Sequence, residues 1–283
     1  MPKTSLNKTP LTKTPLNKKS ILLVGAGKMG CALLDGWLDA GFAASQFNVL
    51  EPNPDALLTA RGGEGVSLAA PTSPADIIVL AIKPQLAEAV VPTLRDYIKE
   101  ETMILSILAG TPTQKLEALT GHGVQVRAMP NTPAAIGAGI TALYATPNVS
   151  AAQRGFAETL MQAVGESLWV AEEGLIDVVT AISGSGPAYI FYLAEVLTAN
   201  GVRLGLPQDI AERLANHTIK GAGDMLMGDT PAAQLRQNVT SPGGTTEAAL
   251  ELLMVELPEL MKKVIFAAFH RAKELSQSPS EQD

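Results

Sequence analysis

The 283-residue chain is long enough for two domains with separate cores, and 46% hydrophobic against 17% charged residues is the balance of a globular protein. Its formal charge of −7 is uneven: Lys3, Lys8, Lys13, Lys18 and Lys19 precede any acid, and subtracting those five from 21 bases leaves 16 against 28 acids. Such an acidic body repels nucleic acid, a single cysteine (Cys31) excludes an intrachain disulfide framework, and His122, His217 and His270 lack metal-ligand spacing.

Residues 1–19 nearly repeat a Lys-Thr-Pro-Leu unit, too polar and too punctuated by proline to bury a core, so a disordered basic tail is expected there, with a weak contact to an acidic surface as the alternative. The tail lacks the apolar segment and cleavage site of a secretory signal, and no apolar run reaches the ~18 residues of a membrane span. The expected setting is therefore the cytoplasm, with no membrane partner.

From residue 20 to 171, β-rich runs alternate with helical ones: Ile21 to Val24, Phe47 to Glu51, Asp76 to Ile82, Met103 to Leu108, Val124 to Ala128, Ile140 to Ala145 and Ser167 to Val170. This cadence predicts an α/β domain with a parallel, doubly wound sheet. The third and fourth runs are apolar on both faces, as strands covered on both sides must be.

The first run opens into Gly25-Ala26-Gly27-Lys28-Met29-Gly30, a G-x-G-x-x-G turn before a helix. Its glycines permit a tight turn, backbone approach to a pyrophosphate and close helix–strand packing, so a dinucleotide site is expected. Cys31, just inside that helix, reads as a small core residue. Glu51 ends the second strand where an acidic residue usually receives adenine ribose hydroxyls, which leans toward NADH, while Asn53 is able to donate to the 2′-phosphate of NADPH.

Ala81-Ile82-Lys83-Pro84 and Ala109-Gly110 follow the third and fourth strands, at the sheet edge where open α/β folds bind ligands. Lys83 is equally consistent with a solvated strand-end lysine. Asn131, after the fifth strand, is placed either to hold the nicotinamide end or to make a local Asx-turn.

Residues 172–276 carry helical pattern alone: Leu175 to Ile182, Pro187 to Leu204, Gln208 to Met227, Pro231 to Asn238, Thr245 to Val255 and Leu257 to Leu275, with a disordered C-terminus expected over 277–283. The helix from Pro187 is apolar nearly all round and must be buried, which a domain of this size does not achieve alone. A homodimer through the helical domain is expected, or else an unusually central helix. Asn238 to Thr246 then place Ser241, Gly243, Gly244, Thr245 and Thr246 at a helix start, a device for holding a small anion on free N–H groups and hydroxyls. A capped interhelical turn accounts for the same residues.

Taken in order, Val24-Gly-Ala-Gly-Lys-Met-Gly30, Ala81-Ile-Lys-Pro84, Arg127-Ala-Met-Pro-Asn-Thr-Pro133, Ser183-Gly-Ser-Gly-Pro-Ala-Tyr189 and Ser241-Pro-Gly-Gly-Thr-Thr246 resemble pyrroline-5-carboxylate reductase from about Ile21 to Leu275. The resemblance implies a Rossmann domain, an all-helical dimerisation domain, and reduction of 1-pyrroline-5-carboxylate to proline by NADPH or NADH. It implies that Gly25 to Gly30 hold the pyrophosphate, Asn53 the adenosine ribose side, and Ala81 to Pro84 with Ala109 and Gly110 the nicotinamide ribose. Asn238, Thr245 and Thr246 then meet the substrate, with Glu173 matching an acidic position near the site or else lying in a solvated turn. Family dimers often assemble into decamers. Glu51 departs from the small or hydroxyl residue of many relatives, and the tail has no family role.

The substrate of that reaction is a cyclic imine bearing a carboxylate, so the protein has to position rather than supply a strong acid. Thr246 is the expected catalytic residue, its hydroxyl hydrogen-bonded to the ring nitrogen. Two rivals remain: a β-hydroxyacid dehydrogenase, which needs a catalytic lysine in a helical domain where only Lys220 stands between Lys115 and Lys262, and a dinucleotide-sensing protein without turnover.

Overall fold

The computed structural model describes residues 19–277; of the two expected disordered termini only Lys19 and Gln277 fall within it, and the rest of both lies outside the described residues. The described chain forms two compact units, residues 19–184 together with 270–277, and residues 185–269.

The first unit is built on seven strands: β1 (Ile21–Val24), β2 (Phe47–Leu50), β3 (Ile77–Leu80), β4 (Met103–Ser106), β5 (Gln125–Met129), β6 (Gly139–Ala145) and β7 (Gly165–Trp169). They lie in the order β2-β1-β3-β4-β5-β6-β7. Every run expected as a strand is one. All neighbours pair in parallel except β5 and β6, which are antiparallel. The parallel, doubly wound sheet expected from the cadence is present, with β5–β6 as its one antiparallel pair. Parallel strands need a crossover of a dozen or more residues, usually a helix, and the Pro130–Ala138 connection is only a short loop with a 3-10 turn over Thr132–Ile136. The helix α5 (Ala151–Gln162), entered through a Ser150 and Gln153 capping box, restores the parallel direction for β7.

Alternation along the strands divides the core into two layers. Ile21, Leu23, Ile77, Val79, Met103 and Leu105 face one side, against Leu33, Leu34 and Trp37 of α1 (Lys28–Asp39) and Leu160 and Met161 of α5. Leu22, Val24, Ile78, Leu80 and Ile104 face the other, against Val91, Leu94 and Leu116. The second layer is covered by the short helices α3 (Ala87–Val90) and α4 (Thr113–Thr120), with α2 (Ala56–Gly63) following β2. Each such side chain taken from water contributes roughly 1.5–3 kcal/mol. Trp37 stacks on Phe47 at 5.5 Å and donates its indole N–H to the Leu160 carbonyl at 2.9 Å, locking α1 to α5.

The helical run begins with α6 (Leu175–Val179) and a π-helical turn over Thr180–Gly184. The second unit holds α7 (Gly186–Arg203), α8 (Gln208–Leu226), α9 (Ala232–Asn238) and most of α10 (Thr245–Gln277). Two helices were expected across 245–275, and one helix of 33 residues stands there, with Pro258 inside it. Proline forfeits one intrahelical bond, a local cost of about 3 kcal/mol, but its fixed φ is helical, so one helix runs through it.

In this single chain α7 buries only Thr198, while Phe191 is 61% and Tyr192 65% exposed. No helix of the described residues is long and apolar enough to cross a membrane.

Candidate active site

The glycine-rich turn and the loops after β2, β3 and β4 all leave the C-terminal edge of the parallel strands, and β1 lies between β2 and β3 where the strand order reverses. Gly25 has φ +90°, and a Cβ there would sit 2.8 Å from the Ala81 carbonyl oxygen; a Cβ on Gly30 would sit 2.4 Å from that of Gly25. These two glycines let the turn close against β3 and α1. At Gly27 a Cβ would meet nothing within 4 Å. The backbone there faces open space at the start of α1, whose N-cap is Gly27 itself with no side-chain cap. The N–H groups of the first turn of α1 are thus available to an anion, which fits a dinucleotide pyrophosphate.

Glu51 is fixed by backbone on both oxygens: Ala26 N–H donates to Oε2 at 2.9 Å and Asn53 N–H to Oε1 at 3.1 Å. The carboxylate therefore ties the glycine turn to the end of β2, a contact the sequence reading did not foresee. Cys31 donates its thiol to the Ala26 carbonyl at 2.9 Å, and burial, then the charges of Asp55, Asp35 and Glu51, push the thiol pKa up, as suits a packing residue. Lys28 and Lys83 are exposed. Lys83 heads a 3-10 turn over Pro84–Leu86, with Ala81 and Ile82 partly buried before it.

Ala109 and Gly110 are partly buried, and Gly110 adopts φ +64°. A Cβ on Gly110 would lie 2.7 Å from that of Leu275, so the end of α10 packs directly on this loop. Asn131 is 9% exposed and its Oδ1 accepts from Ile140 N–H at 3.0 Å, a tie to the start of β6 in place of a local Asx-turn.

Glu173 lies in the turn before α6, but its half-buried carboxylate points inward to fixed partners. Its Oε1 accepts from the Thr113 N–H at 2.7 Å and its Oε2 from the Thr113 hydroxyl at 2.7 Å. Its Oε1 also pairs with Arg127 Nη1 at 3.3 Å, and Arg127 Nη2 stands 3.6 Å from Asp177. The Arg127 side chain is 3% exposed and takes its counter-charge from both acids. Residues 46 apart in sequence give no local signal of such a pair.

In the second unit, Asn238 ends α9, exposed, and its Oδ1 accepts from Gln234 at 2.8 Å. Ser241 accepts the Gly244 N–H on its carbonyl at 3.0 Å, and Gly243 takes φ +71°. The loop thus delivers Thr245 and Thr246 to the start of α10, with Thr246 partly buried. The first intrahelical bond there runs from Ala248 N–H to the Gly244 carbonyl, so the N–H groups of Thr245, Thr246 and Glu247 lie ahead of the ladder. The N–H of Gly243, expected to face an anion, instead donates to Glu247 at 2.7 Å. Sequence reasoning passed over Glu247, although an acid three residues beyond a helix N-cap is a known capping signal.

Comparison with known proteins adds to this geometry. Residues 173–275 match the family model described as pyrroline-5-carboxylate reductase dimerisation, and residues 20–110 that described as NADP oxidoreductase, coenzyme F420-dependent. The chain is 40% identical to the pyrroline-5-carboxylate reductase of Pseudomonas aeruginosa over 264 residues, covering 91% of this chain and 97% of that one. Among solved structures it is similar to the Coxiella burnetii pyrroline-5-carboxylate reductase, with TM-score 0.86 and 38% identity over 93% of this chain and all of that one. It is also similar to the Plasmodium falciparum pyrroline carboxylate reductase solved with NADP bound, with TM-score 0.80 and 27% identity over 92% and 99% of the two chains.

Proposed function

This chain belongs to the pyrroline-5-carboxylate reductase family, and on that premise we propose how its residues carry out the NAD(P)H-dependent reduction of 1-pyrroline-5-carboxylate to proline, the last step of proline biosynthesis. The observation that carries the assignment of the substrate site is the start of α10, where three N–H groups precede the helical ladder beside Ser241, Thr245 and Thr246.

When bound, the cofactor would supply the hydride that turns the ring C=N bond into C–N, and the proton on nitrogen comes from solvent, taken up before the site excludes water. Gly25 to Gly30 present the first-turn N–H groups of α1 to the pyrophosphate, a role supported by the empty space over Gly27. Ala81 to Pro84, Ala109, Gly110 and Asn131 line the nicotinamide side, and Glu51 and Asn53 the adenosine ribose side. The fixed Glu51 carboxylate repels a 2′-phosphate, so NADH is the preferred reductant in this reading.

The substrate carboxylate is received by the N–H groups of Thr245, Thr246 and Glu247 and the hydroxyls of Ser241 and Thr245; Asn238 stands at the same loop. A helix end contributes roughly 0.3–2 kcal/mol to a bound anion, which is why the hydroxyls have to share the load. The Gly243 N–H joins them only when Glu247 releases it. The Thr246 hydroxyl hydrogen-bonds the ring nitrogen and steadies it as it gains its proton. Since no acid of the loop has to deliver that proton, the scarcity of histidine in the chain is consistent with a reaction driven by orientation and exclusion of water.

The dimerisation segment makes an oligomer the working form, and within this reading it is a homodimer that stacks into a decamer. Residues 20–171 serve as the cofactor domain and 172–276 as the substrate and dimerisation domain, in a cytoplasmic enzyme. Loss of 340 nm absorbance with 1-pyrroline-5-carboxylate, followed separately with NADH and NADPH, tests the activity and the preference together. A chain that binds either nicotinamide and shows no turnover would instead be the sensing protein.

A further inference from the structure

We propose that Glu173 and Arg127 form a buried clamp that positions the nicotinamide-side loop, so that Glu173 acts on cofactor affinity through Thr113 rather than by touching substrate. This rests on the reading that places the nicotinamide end at Ala109 and Gly110.

Helix α4 has Pro112 at its N-cap and no side-chain cap of its own. The cap comes from Glu173, 60 residues away in sequence, through two 2.7 Å bonds to the Thr113 N–H and hydroxyl. Both carboxylate oxygens are thereby committed to the residue that ends the loop 109–113. Thr113 is 7% exposed and sits three residues after Gly110, so the loop has little length over which to relax. A carboxylate at a helix N-terminus also gains from the macrodipole.

Arg127 holds the other side of the clamp. It rises from β5 with its guanidinium buried between Glu173 and Asp177, fixing where the Glu173 carboxylate points. The Ser276 hydroxyl meets Asp177 at 3.4 Å, and Leu275 lies against Gly110. The loop is therefore held from two directions, by Glu173 at its C-terminal end and by the last turns of α10 on its glycine. One end of this arrangement is rigid sheet and the other is the expected nicotinamide contact. A small shift at such a contact is costly to a reaction that depends on near-attack geometry.

The test uses the full chain with E173Q and the milder T113V, which removes one hydroxyl bond from a side chain of nearly the same shape. The readouts are NADH and ADP binding by fluorescence and competition, and separate KM values for NADH and 1-pyrroline-5-carboxylate. E173Q is expected to weaken NADH binding and raise its KM by about fivefold or more, with T113V smaller in the same direction. ADP, which lacks the nicotinamide half, should bind within about twofold of the parent, and the KM for 1-pyrroline-5-carboxylate should be equally unmoved. Equal losses for NADH and ADP would overturn the proposal by showing a general loosening of the domain. A rise confined to the imino-acid KM would overturn it by making Glu173 a substrate contact, and so would no change in any of these. G27D serves as the control for the underlying reading, because a carboxylate facing the pyrophosphate should abolish binding of both nucleotides. If G27D binds them normally, the cofactor placement itself fails and the clamp proposal falls with it.

Discussion

The two units solve the burial of apolar surface in opposite ways. In the first, strands β1, β3 and β4 are buried on both faces within a single chain, with Leu22, Leu23, Ile78 and Leu80 at 0% exposure. In the second, Phe191, Tyr192, Leu214, Leu252 and Leu253 stand between 49% and 73% exposed along α7, α8 and α10. Apolar surface on that scale marks an interaction face. The sheet unit buries its apolar strands within one chain and the helical unit leaves an apolar face exposed, in keeping with its match to a dimerisation segment. Cofactor binding and substrate turnover should therefore respond differently to the same perturbation.

Charge placed on the exposed helix face gives the largest separation. A chain carrying both F191E and L193E is expected to become monomeric in light scattering and to lose more than about a hundredfold in kcat/KM, while its sheet unit still binds NADH. Full activity in a monomer would erase the contrast. Within the helical unit, T246V would remove the hydrogen bond to the ring nitrogen proposed for Thr246, worth roughly 1.5–3 kcal/mol, and should then lower kcat/KM by about ten- to a hundredfold without altering NADH affinity. An unchanged value would take Thr246 out of the reaction.

The sheet unit is sharpened by its own variants. E51Q should shift the ratio of NADPH to NADH efficiency upward by about tenfold if Glu51 lies beside the adenosine ribose as proposed, since it removes that charge while leaving an amide oxygen to accept from Ala26 or Asn53. A ratio that stays put would show that Glu51 serves the turn alone. The smallest effect concerns Asp76, whose carboxyl burial tends to raise in pKa but whose bond from Lys99, bonds from Ser20 and the charges of Lys19 and Lys99 hold below the ordinary value. A depressed folded pKa stabilises above the unfolded value of about 4 and loses that contribution as pH falls through the folded one. The urea midpoint of the parent should therefore fall on acidification below pH ~4 by more than that of D76N, with equal slopes as the contrary result.

How much of this was readable in advance differs by residue. Gly25 and Gly30 could be assigned from spacing alone, because a positive φ and a backbone approach within 3 Å admit no side chain. The seven strands were legible because period-two patterning and two-sided apolarity are local properties. The antiparallel β6 was less so, since direction depends on the length and path of the connection and not on the strand's own residues. Pro258 misled for a related reason: local punctuation marks a break there, yet the fixed φ of proline is itself helical and one helix runs through it.

Amino-acid order by itself determined where the strands and the glycine turn would form and that Thr245 and Thr246 would begin a helix, because these follow from backbone sterics and hydrophobic period over a few residues. Only the tertiary structure decided that Glu51 bonds Ala26 and that Glu173 meets both Thr113 and Arg127. Charged side chains choose partners by distance and burial after the chain has folded, and for pairs as far apart as Arg127 and Glu173 no local pattern carries that choice.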